Sequence, residues 1–268
     1  MKAYALRNQW RETRTIVFAY LLAITWVCWD VMRHAPVSLG ALRIGIDGWR
    51  DFSLLWAGLA FASLLLGGAA LQRETAMKES TAELSPSRRR SSSVGSHSIV
   101  GLAEIIALTL VTMGVFVTMY HFGLIRFGPP VVASVERPIQ MPLSFLMVFL
   151  AGCSMALFAG LVFSTSCLAT ILVRRGSLGI FLAAIAFILY IFLQREMQYL
   201  PGPFHPNLPN WQLNPFDILI SKDSVITHLL VAILGRTFTI MLILYIAHLA
   251  ASRLGPGNSL VQKDSAVR

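Results

Sequence analysis

The side chains able to do chemistry are few and scattered. Six histidines (His34, His97, His121, His205, His228, His248) and three cysteines (Cys28, Cys153, Cys167) are spread along a chain of 268 residues. No cysteine has a C-x-x-C partner or a histidine at ligand spacing, so neither zinc nor a disulfide framework is indicated. Each cysteine stands inside an apolar run and reads as a small apolar packer. His228 and His248 lie near opposite ends of one such run and cannot share a metal within it. The chain lacks a G-x-x-x-x-G-K-[ST] phosphate loop, an H-E-x-x-H zinc pair and a G-x-S-x-G nucleophile elbow. It is therefore not expected to be an enzyme or to bind a cofactor of its own.

What remains is a set of ionisable groups inside apolar runs, where a charge is costly and marks a functional position by default. Three qualify: Asp30, Glu104 and Arg236. Arg236 lies deepest in its run. It reads as a structural or snorkelling cation, or as a cavity-lining cation that meets an anionic cargo. Glu104 falls near the inner end of its run, where simple solvation suffices, and Asp30 near the outer end of another.

The elements that position these groups follow from composition. The chain is 56% hydrophobic and only 13% charged, with mean hydropathy +0.66, whereas soluble domains carry about 25% charged residues. Lipid is the implied solvent. The net charge of +9 sits between apolar runs, which suits anionic headgroups and gives no interleaved aromatic patch for nucleic acid. The apolar runs predict an all-α integral membrane protein with six transmembrane helices, at about 15–32, 52–71, 99–120, 143–173, 178–193 and 227–251. Residues 1–14 predict an amphipathic interfacial helix, with Ala3, Leu6 and Trp10 on one face and Arg7, Arg11 and Arg14 on another. Six spans put both termini on one side. A cytoplasmic N-terminus gives the inside segments 14 basic residues against 7 outside, so both ends are expected in the cytoplasm. Gly152, Ala156 and Gly160 recur at every fourth position and predict close helix packing, within the chain or against a second copy. The outside loop 194–226 is rich in proline and the tail 254–268 is expected to be disordered.

The longest polar interruption is 72–98. Glu74 and Lys78 form a favourably oriented i,i+4 pair on a helix-like stretch, Gln72–Leu84. Ser85 can cap and Pro86 suits the first position of the next helix. The basic cluster Arg88, Arg89, Arg90 suits anionic membrane lipid. The serine-rich run Ser91–Ser96 predicts a loose start to the third span.

In order, the chain reads an apolar span, Arg73-Glu74, a short helix, Leu84-Ser85-Pro86-Ser87-Arg88-Arg89, and a span containing Gly101-Leu102-Ala103-Glu104. This resembles the permease subunits of type-2 ATP-binding-cassette (ABC) transporters, which commonly read R-E-x-x-x-G-T and then L-x-x-P-x-S-R at this place. Trp10-Arg11-Glu12-Thr13-Arg14 is similar to their W-x-E-x-R segment before the first span. Thr75-Ala76-Met77-Lys78-Glu79 stands where the family has Gly-Thr. The resemblance extends by motif as far as Tyr120 and by architecture beyond it. It implies a pore-forming half of an exporter in a bacterial cytoplasmic (inner) membrane, partnered by a second permease copy or a related permease. It also implies a separate ATPase subunit, the user of ATP, docking on loop 72–98 through Arg73, Glu74, Lys78 and Glu79. Without the resemblance, the residues leave open a secondary transporter or channel, or a membrane assembly or regulatory protein that transports nothing.

Overall fold

In lipid every backbone N–H and C=O must be satisfied within the protein, so a chain this apolar is driven into helices. The computed structural model describes residues 2–33, 46–69, 86–122, 125–126, 145–197 and 226–253. Six α-helices fill nearly all of them: α1 (Lys2–Arg33), α2 (Gly48–Gly68), α3 (Pro86–His121), α4 (Phe145–Val173), α5 (Gly176–Met197) and α6 (Ile226–Arg253). Two short strands, β1 (Ile46–Asp47) and β2 (Ile125–Arg126), pair in parallel and tie the chain entering α2 to the chain leaving α3. Four segments are long and apolar enough to cross a membrane: Thr13–Arg33, Val94–His121, Val148–Val173 and Ile233–Arg253. The chain is thus a multi-pass membrane protein. The apolar stretches described within α2 and α5, Leu54–Gly68 and Gly176–Leu189, are shorter.

Helix boundaries differ from the hydropathy reading in specific places. The third span was expected to begin loosely at Ile99, but α3 starts at Pro86 and runs unbroken through the serines. A proline at a first helical position costs no hydrogen bond. Ser98 turns its hydroxyl back to the Val94 carbonyl, so polarity here does not end the helix. Residues Lys2–Arg14, expected as a separate interfacial helix, continue into α1 without a break. The membrane-length part of α1 begins at Thr13. α2 stops at Gly68, short of the expected Leu71. The coupling stretch with Arg73, Glu74, Lys78, Glu79 and Ser85 lies outside the described residues. So do the side chains of Pro86 and Arg88–Arg90, most of loop 194–226, and the tail 254–268.

Side-chain register fixes how the helices run. Thr13 reaches Glu104 and Tyr20 reaches Thr112, so α1 and α3 are parallel. Gly101 faces Phe163 while Gly152 faces Met113, so α3 and α4 are antiparallel. Tyr20 meets Leu55, and Gly67 meets Phe163 and Ser166, which makes α2 parallel to α4. Cys167 and Ile171 pack with Ala247 and Ala251, and Gly160 faces Ile240, so α6 also follows α4. Successive helices alternate in direction, and the start of α1 and the end of α6 lie at the same end of the bundle.

α4 is the central helix, packed against α2, α3, α5 and α6. Its core positions mix apolar and polar residues: Met155, Ala159, Phe163 and Cys167, but also Ser154, Ser164, Ser166 and Thr170, are fully buried. Large apolar side chains point outward instead, among them Leu22, Trp26 and Trp29 on α1, Phe181 and Ile188 on α5, and Phe238 and Met241 on α6. An interior that mixes small and polar residues with large apolar ones, under an outer face of large apolar side chains, is the pattern expected of helices whose solvent is lipid.

The turn from α4 to α5 is tight. The Arg174 N–H closes α4 on the Thr170 carbonyl at 2.9 Å, and Arg174 adopts φ 60°. This is a left-handed helix cap, a conformation that costs any residue with a Cβ. Arg174→Gly is therefore expected to be more stable than Arg174→Ala by about 1 kcal/mol. Thermal unfolding of the two variants in one detergent measures the difference; a more stable alanine variant would contradict it.

Candidate functional site

Two polar centres lie among the described helices. The first closes the C-terminal end of α2, where the chain enters loop 72–98. A helix end leaves its last carbonyls without intrahelical partners, and in a membrane those carbonyls have little water to turn to. Here α4, α3 and the chain just past the helix bring hydrogen-bonding groups to that end. The Ser166 hydroxyl, from α4, donates to the Leu64 carbonyl at 2.7 Å. The Ala69 N–H donates to the Leu65 carbonyl at 3.1 Å. His97 Nε2, from α3, lies 3.0 Å from the Leu66 carbonyl. A carbonyl only accepts, so His97 carries its proton on Nε2. The buried His97 ring also lies against Phe163, with centroids 5.5 Å apart.

This arrangement requires backbones to come close. A Cβ on Gly67 would stand 2.5 Å from the Phe163 carbonyl oxygen and 2.7 Å from Ser166 Cβ. A Cβ on Gly101 would enter the Phe163 ring, and one on Gly179 would meet the Thr170 backbone. Gly67 and Gly179 are the points where α2 and α5 approach α4 backbone to backbone. At Gly152 and Gly160, the stripe expected to pack closely, an added Cβ would meet side-chain atoms, Met113 Cγ at 3.5 Å and Ile240 Cδ1 at 3.2 Å. That stripe, with half-buried Ala156 beside it, receives side chains rather than a neighbouring backbone.

α1 is seated on the bundle by hydrogen-bonding residues at two positions about two helical turns apart. Buried Thr13 donates to Glu104 Oε1 at 2.6 Å. The Tyr20 hydroxyl lies 3.0 Å from the Leu55 carbonyl and 2.9 Å from Thr112 Oγ1, tying α1, α2 and α3 together. Glu104 is half-buried and holds α1 in register, a more specific task than the solvation that sufficed for it in sequence. Asp30 is also half-buried. It lies about 25 Å along α1 from Thr13 at the helical rise, so Asp30 and Glu104 do not share a site.

The second centre surrounds Arg236. Its side chain is 5% exposed, inside the bundle rather than at a snorkelling position. It lines a cleft of about 280 Å³ with Leu161 and Thr165 of α4, Ala186 and Phe187 of α5, and Thr239 and Ile243 of α6. The walls are mostly apolar. The Thr165 hydroxyl donates to the Leu161 carbonyl at 2.8 Å and the Thr239 hydroxyl to the Gly235 carbonyl at 2.9 Å. Both threonine protons are thereby committed to their own helices, and Arg236 is the cation of the cleft. Neither Asp30 nor Glu104 lines it.

Sequence spacing singled out Asp30, Glu104 and Arg236 as charges within apolar runs, and the structure distributes them among separate places. It did not single out His97, Ser166 or Thr13, whose partners are remote in the chain. The adjacent glycines Gly67-Gly68 were the available signal for a close approach. Among the described residues, no group of three or more His, Cys, Asp or Glu side chains converges as a metal site would. In comparisons with known proteins, no family model matches the chain, and no curated protein matches it.

The packing at the first centre generates a direct expectation. Gly67→Ala must push α2 off α4, because its Cβ would meet backbone that no rotamer change can move. The cost is expected to be about 1–3 kcal/mol. Gly114→Ala, whose Cβ would have nothing within 4 Å, serves as the matched control and is expected to be neutral or to stabilise by up to about 1 kcal/mol. Thermal unfolding in detergent compares the two; equal midpoints would contradict the close approach.

Proposed function

We propose that this chain is the membrane-spanning permease subunit of an ABC transporter, acting as an exporter and driven by a separate ATPase that docks on loop 72–98. The observation that carries this reading is the chain order Arg73-Glu74, a stretch with helix-like spacing, Leu84-Ser85-Pro86-Ser87-Arg88-Arg89 and Gly101-Leu102-Ala103-Glu104, which runs from the end of α2 into α3. The loop's mounting supports it. A lever transmits force only if both of its roots are fixed to what must move. The root on α2 is held by Ser166 and by the close approach at Gly67, and the root on α3 reaches the same place through His97. Displacement of the loop would therefore carry α4 with it, and α4 supports α5 and α6.

Six spans fit this role. α2 has 21 residues and α5 has 22, or about 31–33 Å at the helical rise, enough for a hydrocarbon core of about 30 Å. Alternating helix directions support this reading, in which both chain ends are cytoplasmic, as does the 14-to-7 distribution of basic residues. A complete transporter would need a second permease copy or a related permease, and the ATPase would supply all the nucleotide chemistry. A secondary transporter would want a line of intramembrane acids; Asp30 and Glu104 lie far apart.

Two outcomes are expected. Purification in mild detergent recovers an ATPase subunit, and reversing the charges with Arg73→Glu and Glu74→Arg weakens that association by about tenfold, as for loss of one charged contact. A complex that never contains an ATPase would refute the reading. In a chain with its three cysteines replaced, Ser92→Cys is expected to react with a membrane-impermeant maleimide only after the cytoplasmic face is opened. Labelling in intact cells would place the loop outside and overturn ATPase docking.

A further inference from the structure

We infer that the end of the bundle where α3 and α5 begin and α4 and α6 end is a headgroup site for a membrane phospholipid that carries two phosphates. The inference stands apart from the permease reading, because it rests only on how these helix ends come together. Val94 of α3, Cys167 and Ile171 of α4, and Ala247 and Ala251 of α6 pack as one buried cluster. The three helices therefore reach the same level, and arginine follows the cluster on each. Arg88, Arg89 and Arg90 precede Val94 by less than two turns of α3. Arg175 lies just past the end of α4 and Arg253 is the last residue of α6; both are exposed. Among the described side chains the carboxylates are Asp30 and Glu104. Glu104 lies about 15 Å along α3 from Val94 at the helical rise, and Asp30 is in the last turn of α1. α3 and α5 also start here with no acidic residue in the first turn, and a helix N-terminus favours an anion.

The place of these arginines selects lipid as the partner. Three membrane-length apolar segments begin or end beside them: Val94–His121, Val148–Val173 and Ile233–Arg253. Basic residues at the ends of such segments meet the headgroup layer, and basic pockets between helix ends take multiply charged heads. Arginine suits a phosphate because its planar fork donates two parallel hydrogen bonds. The spread over three helix ends selects two phosphates over one. α3, α4 and α6 pack on one another, and packed helices lie about 8–10 Å apart. A single phosphate meets one helix end, whereas a head with two can bridge a pair of them. Its second contact is then intramolecular, which strengthens the first. The far end of α1 differs in kind: exposed Arg33 stands in the same turn as half-buried Asp30.

The test uses the purified full-length chain in neutral detergent, with no ATPase present, so that its failure is distinguishable from failure of the permease reading. The probes are three lipids with the same acyl chains: diphosphatidylglycerol with two phosphates, phosphatidylglycerol with one, and zwitterionic phosphatidylcholine. Titration followed by native mass spectrometry reads stoichiometry and affinity. Diphosphatidylglycerol is expected to bind about tenfold or more tighter than phosphatidylglycerol, with phosphatidylcholine weakest, and to be released as salt is raised. Each arginine facing anionic lipid is worth about fivefold. The double variant Arg175→Gln/Arg253→Gln is therefore expected to weaken diphosphatidylglycerol binding by about tenfold or more and to flatten its salt dependence. Both side chains are exposed and Arg174 stays in place at the turn, so the lipid-free variant is expected to unfold at the wild-type midpoint. Arg33→Gln, at the far end of α1, is expected to leave binding unchanged. Equal affinity for all three lipids, equal weakening by Arg33→Gln, or undiminished binding in the double variant overturns the inference. So does a double variant that keeps its lipid but no longer recovers an ATPase from cells, which would assign the surface to a protein.

Discussion

The structure depends on one constraint: a helix that ends buried among other helices must have its polar end groups met inside the protein. α2 meets it with groups from two other helices, the Ser166 hydroxyl and the His97 imidazole. Hydrogen bonds reach only about 3 Å, so the donors must be brought to the carbonyls by backbone proximity. Gly67, lacking a side chain, makes that possible. The capping requirement, the missing Cβ and the position of α4 are thus a single condition seen from three sides. Relaxing any one of them loosens the hold of α3 and α4 on the end of α2.

That condition also explains the polarity of the interior. Lipid offers no hydrophobic reason for helices to associate, so packing and interhelical hydrogen bonds must do so. Each such bond contributes modestly, about 0.6 kcal/mol on average in measured membrane proteins. Register is therefore set by several bonds acting together: Thr13 with Glu104, Tyr20 with Leu55 and Thr112, Ser166 with Leu64, His97 with Leu66. α5 and α6 are joined to the rest mainly through α4. Among the described residues, α5 and α6 each meet α4 more than they meet each other, and the Arg236 cleft is lined by all three.

Much of the helical architecture was legible in sequence, because hydropathy records which residues prefer lipid. Four membrane-length segments follow directly from it. Helix ends were less legible, since a helix can extend beyond the lipid-facing run: Pro86–Ser98 is helical although polar. Arg236 announced itself by its cost in an apolar run. Its cleft did not, because the splay of α5 from α6 has no local signature. His97 and Ser166 were invisible for a related reason. Their partners are carbonyls of Leu66 and Leu64, and every residue has a carbonyl, so only the fold reveals which ones matter. The motif that suggested an ATPase partner falls on Arg73–Glu79, outside the described residues, and therefore remains a proposal.

The bond between Ser166 and Leu64 joins residues 102 positions apart, and this has a consequence for biogenesis. At synthesis rates of about 5–20 residues per second, α2 emerges about 5–20 s before the α4 serine that meets it. Throughout that interval the Leu64 carbonyl lacks its second donor and the close-approach face at Gly67 is uncovered. The final seating of α2 therefore waits for α4, so membrane integration and tertiary assembly overlap in time.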